Sequence, residues 1–246
     1  MKPAVVMLHG FTHTGASWKP VAAALDERYR ALAPDIRGHG SSSAVRPVTL
    51  AAVIGDLDGL TTSNRLGGGE QLTLAGYSMG GRIALHAALA LADQVQRLIL
   101  VGGSPGIADP GERTARRVAD EQLAEQLERL SIGELAKRWA STAVLSDQPP
   151  DVAAAAHADR LRSTPAGLGR ALRGLGTGAL PSLWGRLGEL RMEVVLVVGE
   201  RDQKFLRLAS QMADQIADAT LIVVPGAGHA VHLEAPERVA RVISGS

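Results

Sequence analysis

A serine between glycines is the strongest chemical signal in this sequence of 246 residues. It lies in the segment 76–81, Gly-Tyr-Ser-Met-Gly-Gly, which fits the pattern G-x-S-x-G. An apolar run precedes the segment and a helical pattern follows it, which is the context that this motif requires. Such a turn lifts a serine hydroxyl above a strand end and points the free N–H groups of a helix N-terminus at the same place. We therefore predict that Ser78 is catalytic rather than part of an ordinary glycine-rich turn.

A histidine and an aspartate follow two later apolar runs. His229 comes directly after Gly-Ala-Gly, and Asp202 ends the sequence Gly-Glu-Arg-Asp. An aspartate that accepts a hydrogen bond from one imidazole nitrogen fixes the tautomer, and the other nitrogen then acts on a serine. The order serine, acid, histidine along the chain fits one known arrangement of such a triad. His232 and Glu200 remain the alternative histidine and acid.

The loop after the first apolar run is predicted to stabilise negative charge. The sequence His9-Gly10-Phe11 follows this run, and Met79 follows the serine. The backbone N–H groups of Phe11 and Met79 are the expected donors of an oxyanion hole. His9 itself is expected to brace the loop.

Six short apolar runs would position these residues. They alternate with helical patterns, and they show no polar and apolar alternation of their own, which is typical of strands buried on both faces of a parallel sheet. The runs span residues 4–8, 30–35, 72–77, 98–103, 194–199 and 221–226, and the helical patterns span 17–25, 50–60, 80–92, 205–216 and 236–243. We predict an α/β fold with a mostly parallel central sheet flanked by helices.

The alternation stops between residue 109 and about residue 190. Four helical patterns fill this stretch, over 112–130, 132–140, 152–161 and 168–175, with a break at Pro149 and Pro150. We therefore divide the chain into a core formed by 1–108 and 191–246 and a helical lid formed by 109–190.

Composition excludes several other kinds of function. The formal net charge of +1 argues against nucleic acid as a partner, and the absence of cysteine excludes disulfides and thiolate metal sites. We find no HExxH motif and no close set of histidines and carboxylates, so no metal is predicted. No apolar run reaches eighteen residues, and the short opening run reads as a buried strand rather than a signal peptide. These features predict a cytoplasmic protein without a membrane span.

These landmarks resemble the 2-succinyl-6-hydroxy-2,4-cyclohexadiene-1-carboxylate synthases, the MenH-type enzymes of the α/β-hydrolase superfamily. The resemblance covers almost the whole chain and implies the α/β-hydrolase fold. Its most specific segments are GYSMGGR at 76–82, GTGALPSLW at 176–184 and GERDQKF at 199–205, whereas LHGFTHTGASW at 8–18 and GHAVHLEAP at 228–236 are shared by many α/β hydrolases. Thr12-His13-Thr14 departs from the family pattern, which bears on the shape of the loop.

The resemblance implies an elimination without a cofactor. Enzymes of this family expel pyruvate from 2-succinyl-5-enolpyruvyl-6-hydroxy-3-cyclohexene-1-carboxylate in menaquinone biosynthesis. Ser78, made basic by His229, would remove a ring proton. The N–H groups of Phe11 and Met79 would then hold the enolate oxygen that develops.

The substrate carries several carboxylates, so the resemblance also implies arginines at the site. Arg82 lies one helical turn after Ser78 on the same face. Arg116 and Arg162 resemble arginines of the family's lid, and Arg160 is the alternative to Arg162. Tyr77 and Trp139 match positions that line the pocket, although each could equally be a packing residue. A small polycarboxylate is thus the expected partner, and no oligomeric state is predicted.

Two other functions compete with this interpretation. The first is a serine hydrolase of the same fold, either a carboxylesterase or a C–C bond hydrolase. The second is a non-enzymatic receptor or scaffold, against which the complete triad and lid argue. The arginine beside the serine and the GTGALPSLW segment favour the lyase.

Overall fold

The computed structural model describes residues 2–25, 27–62, 72–142 and 145–245. Within these ranges, six strands form one sheet in the order β2-β1-β3-β4-β5-β6, and every pairing is parallel. The predicted parallel α/β sheet is therefore confirmed. The strands are β1 (Ala4–Leu8), β2 (Arg30–Leu32), β3 (Leu72–Tyr77), β4 (Val95–Val101), β5 (Glu193–Gly199) and β6 (Ala219–Val224).

Helices cover both faces of the sheet, because each strand buries alternate side chains on opposite sides. Val6 and Leu8 belong to one hydrophobic cluster, whereas Val5 and Met7 belong to the other. The described α-helices are α1 (Lys19–Ala24), α2 (Leu50–Thr62), α3 (Met79–Ala90), α4 (Pro110–Glu128), α5 (Ile132–Ala140), α6 (Pro150–Arg160), α7 (Pro165–Leu175), α8 (Gln203–Ala213), α9 (Val231–Glu234) and α10 (Pro236–Ser244). None of the helices in the described ranges is both long and apolar enough to cross a membrane.

β2 and β4 differ most from the apolar runs that predicted them, whereas the bounds of β5 and β6 differ by one or two residues. β2 ends at Leu32 rather than at residue 35, and Pro34, which has no N–H group for a ladder, lies two residues further on. β4 begins at Val95 rather than at residue 98. Its first three residues include Arg97, whose guanidinium donates to Glu193 at 2.8 Å. Because Arg97 is polar, the apolar pattern left out the first residues of β4, although this side chain is paired with the neighbouring strand.

The helices α4 to α7 form a cover that follows β4 and precedes β5. Three of them, α4, α5 and α7, share a hydrophobic cluster that includes Ala124, Leu127, Leu135, Leu168 and Leu172. Phe11, in the loop after β1, packs against this cluster and also against the core beneath it. The cover thus lies against the loop that is predicted to supply an oxyanion donor.

Candidate active site

Ser78 stands at a sharp turn between β3 and α3. Its φ of 51° and ψ of −108° lie in a region that residues with side chains rarely adopt. The turn needs glycine beside it, because a Cβ at Gly80 would collide with the carbonyl groups of Leu8 and His9. The Ser78 side chain remains only half-buried, so a small molecule can approach it.

Ser78, His229 and Asp202 form a continuous chain of hydrogen bonds. His229 Nε2 lies 3.1 Å from Ser78 Oγ, and His229 Nδ1 lies 2.6 Å from Asp202 Oδ2. Because an ionised carboxylate only accepts, Nδ1 carries the proton and Nε2 is free to accept from the serine. Gly102 makes room for the imidazole, since a Cβ there would press on the His229 ring. The structure therefore brings together all three side chains of the predicted triad.

The two alternative triad residues lie elsewhere. His232 is completely buried, and its ring centroid lies 4.1 Å from that of Tyr77. Within the described part of the chain, neither of its nitrogens has a hydrogen-bond partner. Glu200 accepts a hydrogen bond from the Gly226 N–H at 2.8 Å. The hydrogen bond of His229 Nδ1 is made to Asp202 instead.

Glu234 links the loops that carry the histidine and the aspartate. Its buried carboxylate accepts from the N–H groups of Gly228 at 2.7 Å and Ala230 at 3.3 Å, the two neighbours of His229. The guanidinium of Arg201, the residue before Asp202, donates to the same carboxylate at 2.8 Å. Glu234 was not predicted as a functional residue, although it lies in the segment GHAVHLEAP at 228–236 that resembles many α/β hydrolases.

The predicted oxyanion donors have free backbone N–H groups. The N–H groups of Phe11 and Met79 make no hydrogen bond to any residue in the described ranges. Met79 is the first residue of α3, where a helix leaves its N–H groups unpaired. The Phe11 loop is closed by a hydrogen bond from the His13 N–H to the Gly10 carbonyl at 3.2 Å. The arrangement has two donors available for an oxyanion.

His9 braces this loop, as the sequence suggested. Its Nδ1 lies 2.9 Å from the Gly10 carbonyl, and its Nε2 accepts from the Ile36 N–H at 2.9 Å. Burial lowers the pKa of His9 to about 4, so the ring is neutral near pH 7. A neutral ring with one donor and one acceptor satisfies both contacts.

Arg82 is a buried cation on the first turns of α3. Its N–H bonds the Ser78 carbonyl at 3.1 Å, and its side-chain Nε has no hydrogen-bond partner among the residues that the structure describes. Burial, and then the nearby Arg116, lower the pKa of Arg82 to about 10. Arg82 therefore stays charged at neutral pH with donor capacity to spare.

Arg116 lies on α4 and is about half exposed. Its Nε donates to Asp120 at 2.7 Å, and the other oxygen of Asp120 accepts from the Gly178 N–H at 3.1 Å. Asp120 thus ties Arg116 to the GTGALPSLW segment. That segment is itself fixed to the loop after β4, because the Trp184 indole donates to the Gly106 carbonyl at 3.1 Å.

The structure favours Arg160 over Arg162 as the second arginine of the cover. The Arg162 side chain is exposed, and its place at the site remains a prediction. Arg160 is completely buried, donates from Nε to Thr12 Oγ1 at 3.3 Å, and leaves Nη1 and Nη2 without partners among the described residues. Burial is also the main cause that lowers the pKa of Arg160.

Tyr77 lies beside His229 of the triad, and Trp139 lies beside Phe11 of the oxyanion loop. The Tyr77 ring centroid lies 5.2 Å from that of His229, and burial raises the pKa of the Tyr77 hydroxyl. The Trp139 ring, on α5, meets the Phe11 ring edge to face at 4.8 Å. Trp139 therefore joins the cover to the oxyanion loop. No three metal-ligating side chains are grouped together in the described ranges.

Comparison with known proteins agrees with this geometry. The profile of the Alpha/beta hydrolase family matches residues 5–242, which defines the class of protein. A 2-succinyl-6-hydroxy-2,4-cyclohexadiene-1-carboxylate synthase of Salmonella paratyphi C is 32% identical, over 96% of this chain and 90% of that protein. A Bacillus subtilis protein to which the same activity is provisionally assigned is 32% identical, over 98% of this chain and 89% of that protein.

A solved structure, MenH from S. aureus, superposes with a TM-score of 0.91 and is 29% identical, over 100% of this chain and 93% of that chain. The chain belongs to the 2-succinyl-6-hydroxy-2,4-cyclohexadiene-1-carboxylate synthase branch of the alpha/beta hydrolase family. The resemblance noted in the sequence is therefore confirmed.

Proposed function

We propose that this protein is a carbon–oxygen lyase that eliminates pyruvate from 2-succinyl-5-enolpyruvyl-6-hydroxy-3-cyclohexene-1-carboxylate in menaquinone biosynthesis. The product is 2-succinyl-6-hydroxy-2,4-cyclohexadiene-1-carboxylate. The observation that carries the proposal is the hydrogen-bonded chain of Ser78, His229 and Asp202 next to a buried, incompletely paired Arg82. Family membership supports the same reaction.

The triad acts as a base in this mechanism. His229 Nε2 accepts the Ser78 proton while the Ser78 oxygen removes a ring proton next to the succinyl ketone. The electron pair of the broken C–H bond moves to the ketone oxygen and forms an enolate. The N–H groups of Phe11 and Met79 donate to this oxygen, where charge develops only as the reaction proceeds.

The enolate then collapses through the ring double bond. A new ring double bond forms, the C–O bond to the enolpyruvyl group breaks, and the leaving group takes the electron pair. This enolate of pyruvate gains one proton and His229 loses the one it took up, so the triad returns to its starting state and pyruvate is released. No covalent bond to Ser78 is needed, so the half-buried hydroxyl serves as a relay for a proton.

The arginines account for the charge of the substrate. Arg82 and Arg160 are buried cations with unpaired N–H groups among the described residues, and such groups are stabilised when a carboxylate arrives. Arg116 is exposed enough to meet the substrate at the surface, while Tyr77 and Trp139 provide apolar walls. We propose that a small polycarboxylate is the partner and that the protein works in the cytoplasm.

The decisive experiment supplies the enolpyruvyl substrate to the purified protein. We expect pyruvate, measured with lactate dehydrogenase and NADH, to appear in step with the absorbance of the new cyclohexadiene. Heat-treated protein corrects for spontaneous elimination. An absence of enzyme-dependent pyruvate would contradict the proposed lyase.

A parallel assay addresses the hydrolase of the same fold. We expect p-nitrophenyl acetate and butyrate to be cleaved far more slowly than the enolpyruvyl substrate is converted. Fast ester turnover that is lost in Ser78→Ala, together with no pyruvate release, would favour a carboxylesterase.

A further inference from the structure

The end of helix α6 meets the loop after β1 through a set of buried polar contacts. We call this set the seam and define it as Thr12, His13, Thr14, Asp159 and Arg160. The two sides are separated by about 145 residues in the sequence, as in the pair formed by Thr14 and Asp159. All five residues are buried.

Asp159 is the acceptor at the centre of the seam. One oxygen lies 3.0 Å from His13 Nδ1 and accepts from the Thr14 N–H at 2.9 Å, and the other accepts from Thr14 Oγ1 at 2.5 Å. Burial opposes ionisation of Asp159, but these hydrogen bonds outweigh it and hold the pKa of the carboxyl below its usual range. The carboxylate therefore has three donors from two consecutive residues of the loop.

The position of Asp159 in α6 indicates that the loop after β1, and not the helix, explains the presence of an acid there. It lies in the last turn of α6, where the partial negative charge of the helix C-terminus disfavours a carboxylate. An acid at this place is not explained by the helix. It is explained by the loop, which supplies donors that a buried carboxylate requires.

The loop needs external support because its backbone is strained. Phe11 and Thr12 are the two central residues of the turn closed between Gly10 and His13. Thr12 has a φ of 68°, a region that favours glycine and disfavours β-branched residues. The Arg160 Nε donates to the Thr12 hydroxyl, and Asp159 holds the next two residues. The seam therefore holds a conformation that the turn would not adopt easily by itself.

We propose that Asp159 is a positioning residue that acts through the seam on two groups of the proposed lyase site. On one side it fixes the turn from which Phe11 presents its N–H to the oxyanion. On the other side it fixes the end of α6, so that the Arg160 guanidinium is held beside Thr12. The inference rests on the proposed function for its consequence in catalysis, but the positioning itself does not depend on the reaction.

The first test measures position without substrate. Proton–nitrogen NMR spectra of the labelled full chain report the amides of Phe11 and Thr12 and the Arg160 Nε–H. In Asp159→Ala we expect these three signals to shift or broaden. In Asp159→Asn, which keeps an acceptor for the Thr14 N–H and the His13 ring, we expect them to stay near their original positions. Asp151→Ala is the matched control, because Asp151 is an exposed acid on the same helix.

The second test separates positioning from a loss of folded protein. We expect Asp159→Ala to raise KM and to lower kcat for pyruvate release, each by about tenfold, because small displacements of reacting groups have effects of this size. Asp159→Asn should stay within about threefold of the unmodified protein by the same argument. A smaller folded fraction would lower apparent kcat and leave KM unchanged.

The outcomes distinguish a failure of the positioning role of Asp159 from a failure of the proposed function. If Asp159→Ala leaves the Phe11, Thr12 and Arg160 signals unmoved, the positioning role is wrong whatever the reaction is. If these signals move as expected and the unmodified protein releases no pyruvate, the proposed function is wrong and the seam stands. If KM stays unchanged in Asp159→Ala, Asp159 does not position Arg160 for the substrate.

Discussion

The conformation of Ser78 indicates that this residue is held in place for chemistry. A non-glycine residue at φ 51° and ψ −108° costs about 1–3 kcal/mol relative to a relaxed backbone. The surrounding glycines and the hydrogen bond from the Ser78 N–H to the Val101 carbonyl at 2.9 Å hold it there. The strain keeps the hydroxyl above the sheet, 3.1 Å from His229 Nε2.

Substitution of the triad tests this interpretation at the residue scale. We expect Ser78→Ala, His229→Ala and Asp202→Asn each to lower kcat for pyruvate release by roughly 10²–10⁴-fold, the range for loss of a general base. The thermal midpoint of Ser78→Ala should stay close to that of the unmodified protein, because among the described residues the hydroxyl bonds only the imidazole of His229. Coupled pyruvate assays and circular dichroism measure the two quantities. A Ser78→Ala protein with near-normal kcat would remove the serine from the mechanism.

Arg82 is a second residue whose conformation suits the proposed function but lowers the stability of the folded protein. Its guanidinium is buried with an unpaired Nε among the described residues, which disfavours the folded state. We expect Arg82→Met to raise the KM for the enolpyruvyl substrate by at least about tenfold, since a hydrogen bond to a charged group contributes about 1.5–3 kcal/mol. The same substitution should keep or raise the midpoint of urea unfolding. Initial rates across substrate concentration and urea titrations measure both effects.

The exposed Arg186, which pairs with Glu189, provides the control for Arg82. We expect Arg186→Met to change neither the KM nor the unfolding midpoint appreciably, because surface ion pairs contribute little. An Arg82→Met protein with unchanged KM would show that Arg82 does not bind the substrate.

At the scale of the elements, the two loops after β5 and β6 act as one unit. Arg201 donates from Nε to the Gly226 carbonyl at 2.9 Å and from Nη2 to Glu234. A Cβ at Gly199 would collide with the carbonyl groups of Ala227 and Gly228, so the two loops are also in direct contact. The separation of Asp202 and His229 is therefore fixed by backbone contacts as well as by their own hydrogen bond.

We expect Glu234→Ala to lower kcat by about tenfold or more, because two N–H groups beside His229 lose their acceptor and the ring loses its orientation. Glu234→Gln keeps an acceptor oxygen and should recover most of kcat. KM should change little in either protein, since Glu234 does not contact the proposed carboxylate sites. Steady-state kinetics measure this pattern. The exposed Glu237 supplies the control Glu237→Ala, and equal losses in Glu234→Ala and Glu237→Ala would contradict the role of Glu234.

Local sequence was sufficient for most of the elements and for the position of the triad. Apolar runs located β1 and β3 to the residue, and the strand-to-helix context located Ser78. Strand ends on the same edge of a parallel sheet bring Ser78, Asp202 and His229 together, so their meeting follows from the strand order. Arg82 was accessible to the same reasoning because its distance from Ser78 along a helix is fixed.

The side-chain positions in the cover could not be predicted from local sequence. Arg160 is the last residue of α6, and Arg162 lies in the turn that follows it, so helix periodicity does not fix where the two side chains point. Only the packing of α6 decides which one is buried, and that packing depends on contacts with Thr12 to Thr14 far away in the sequence. Asp159 carried no local signal, since an acid near a helix end is usually solvated.

At the scale of the whole molecule, several histidines are buried in the folded protein without charge. Burial is the main cause that lowers the pKa of His9 to about 4, of His39 to about 3 and of His86 to about 4. His232 also has a pKa well below its ordinary value because of burial, with His13 and His229 as further causes. Unfolding exposes these rings to water, where their pKa returns to about 6.5.

This difference sets the pH dependence of stability. Between about pH 6.5 and pH 4 the unfolded chain binds protons that the folded chain does not, so stability falls as the pH is lowered through this window. A histidine whose pKa is lowered from 6.5 to about 4 removes about 1.4 kcal/mol of stability at pH 5.5 by this linkage. We expect the free energy of unfolding, from urea titrations, to be nearly constant above pH 7. It should drop by several times that amount between pH 7 and pH 5.5.

His232 allows the contribution of one ring to be isolated. It packs against the Trp18 ring at 4.8 Å and the Tyr77 ring at 4.1 Å, and neither of its nitrogens is bonded within the described residues. An apolar ring of similar shape removes both the titration and two unpaired polar atoms. We expect His232→Phe to be at least as stable as the unmodified protein at pH 7.5 and to lose less stability than that protein between pH 7.5 and pH 5.5. The neighbouring Val231→Ala should instead lower stability equally at both pH values, because valine does not titrate. Parallel curves for His232→Phe and the unmodified protein would mean that this ring takes up no proton on unfolding, and the linkage would have to be sought in the other buried histidines.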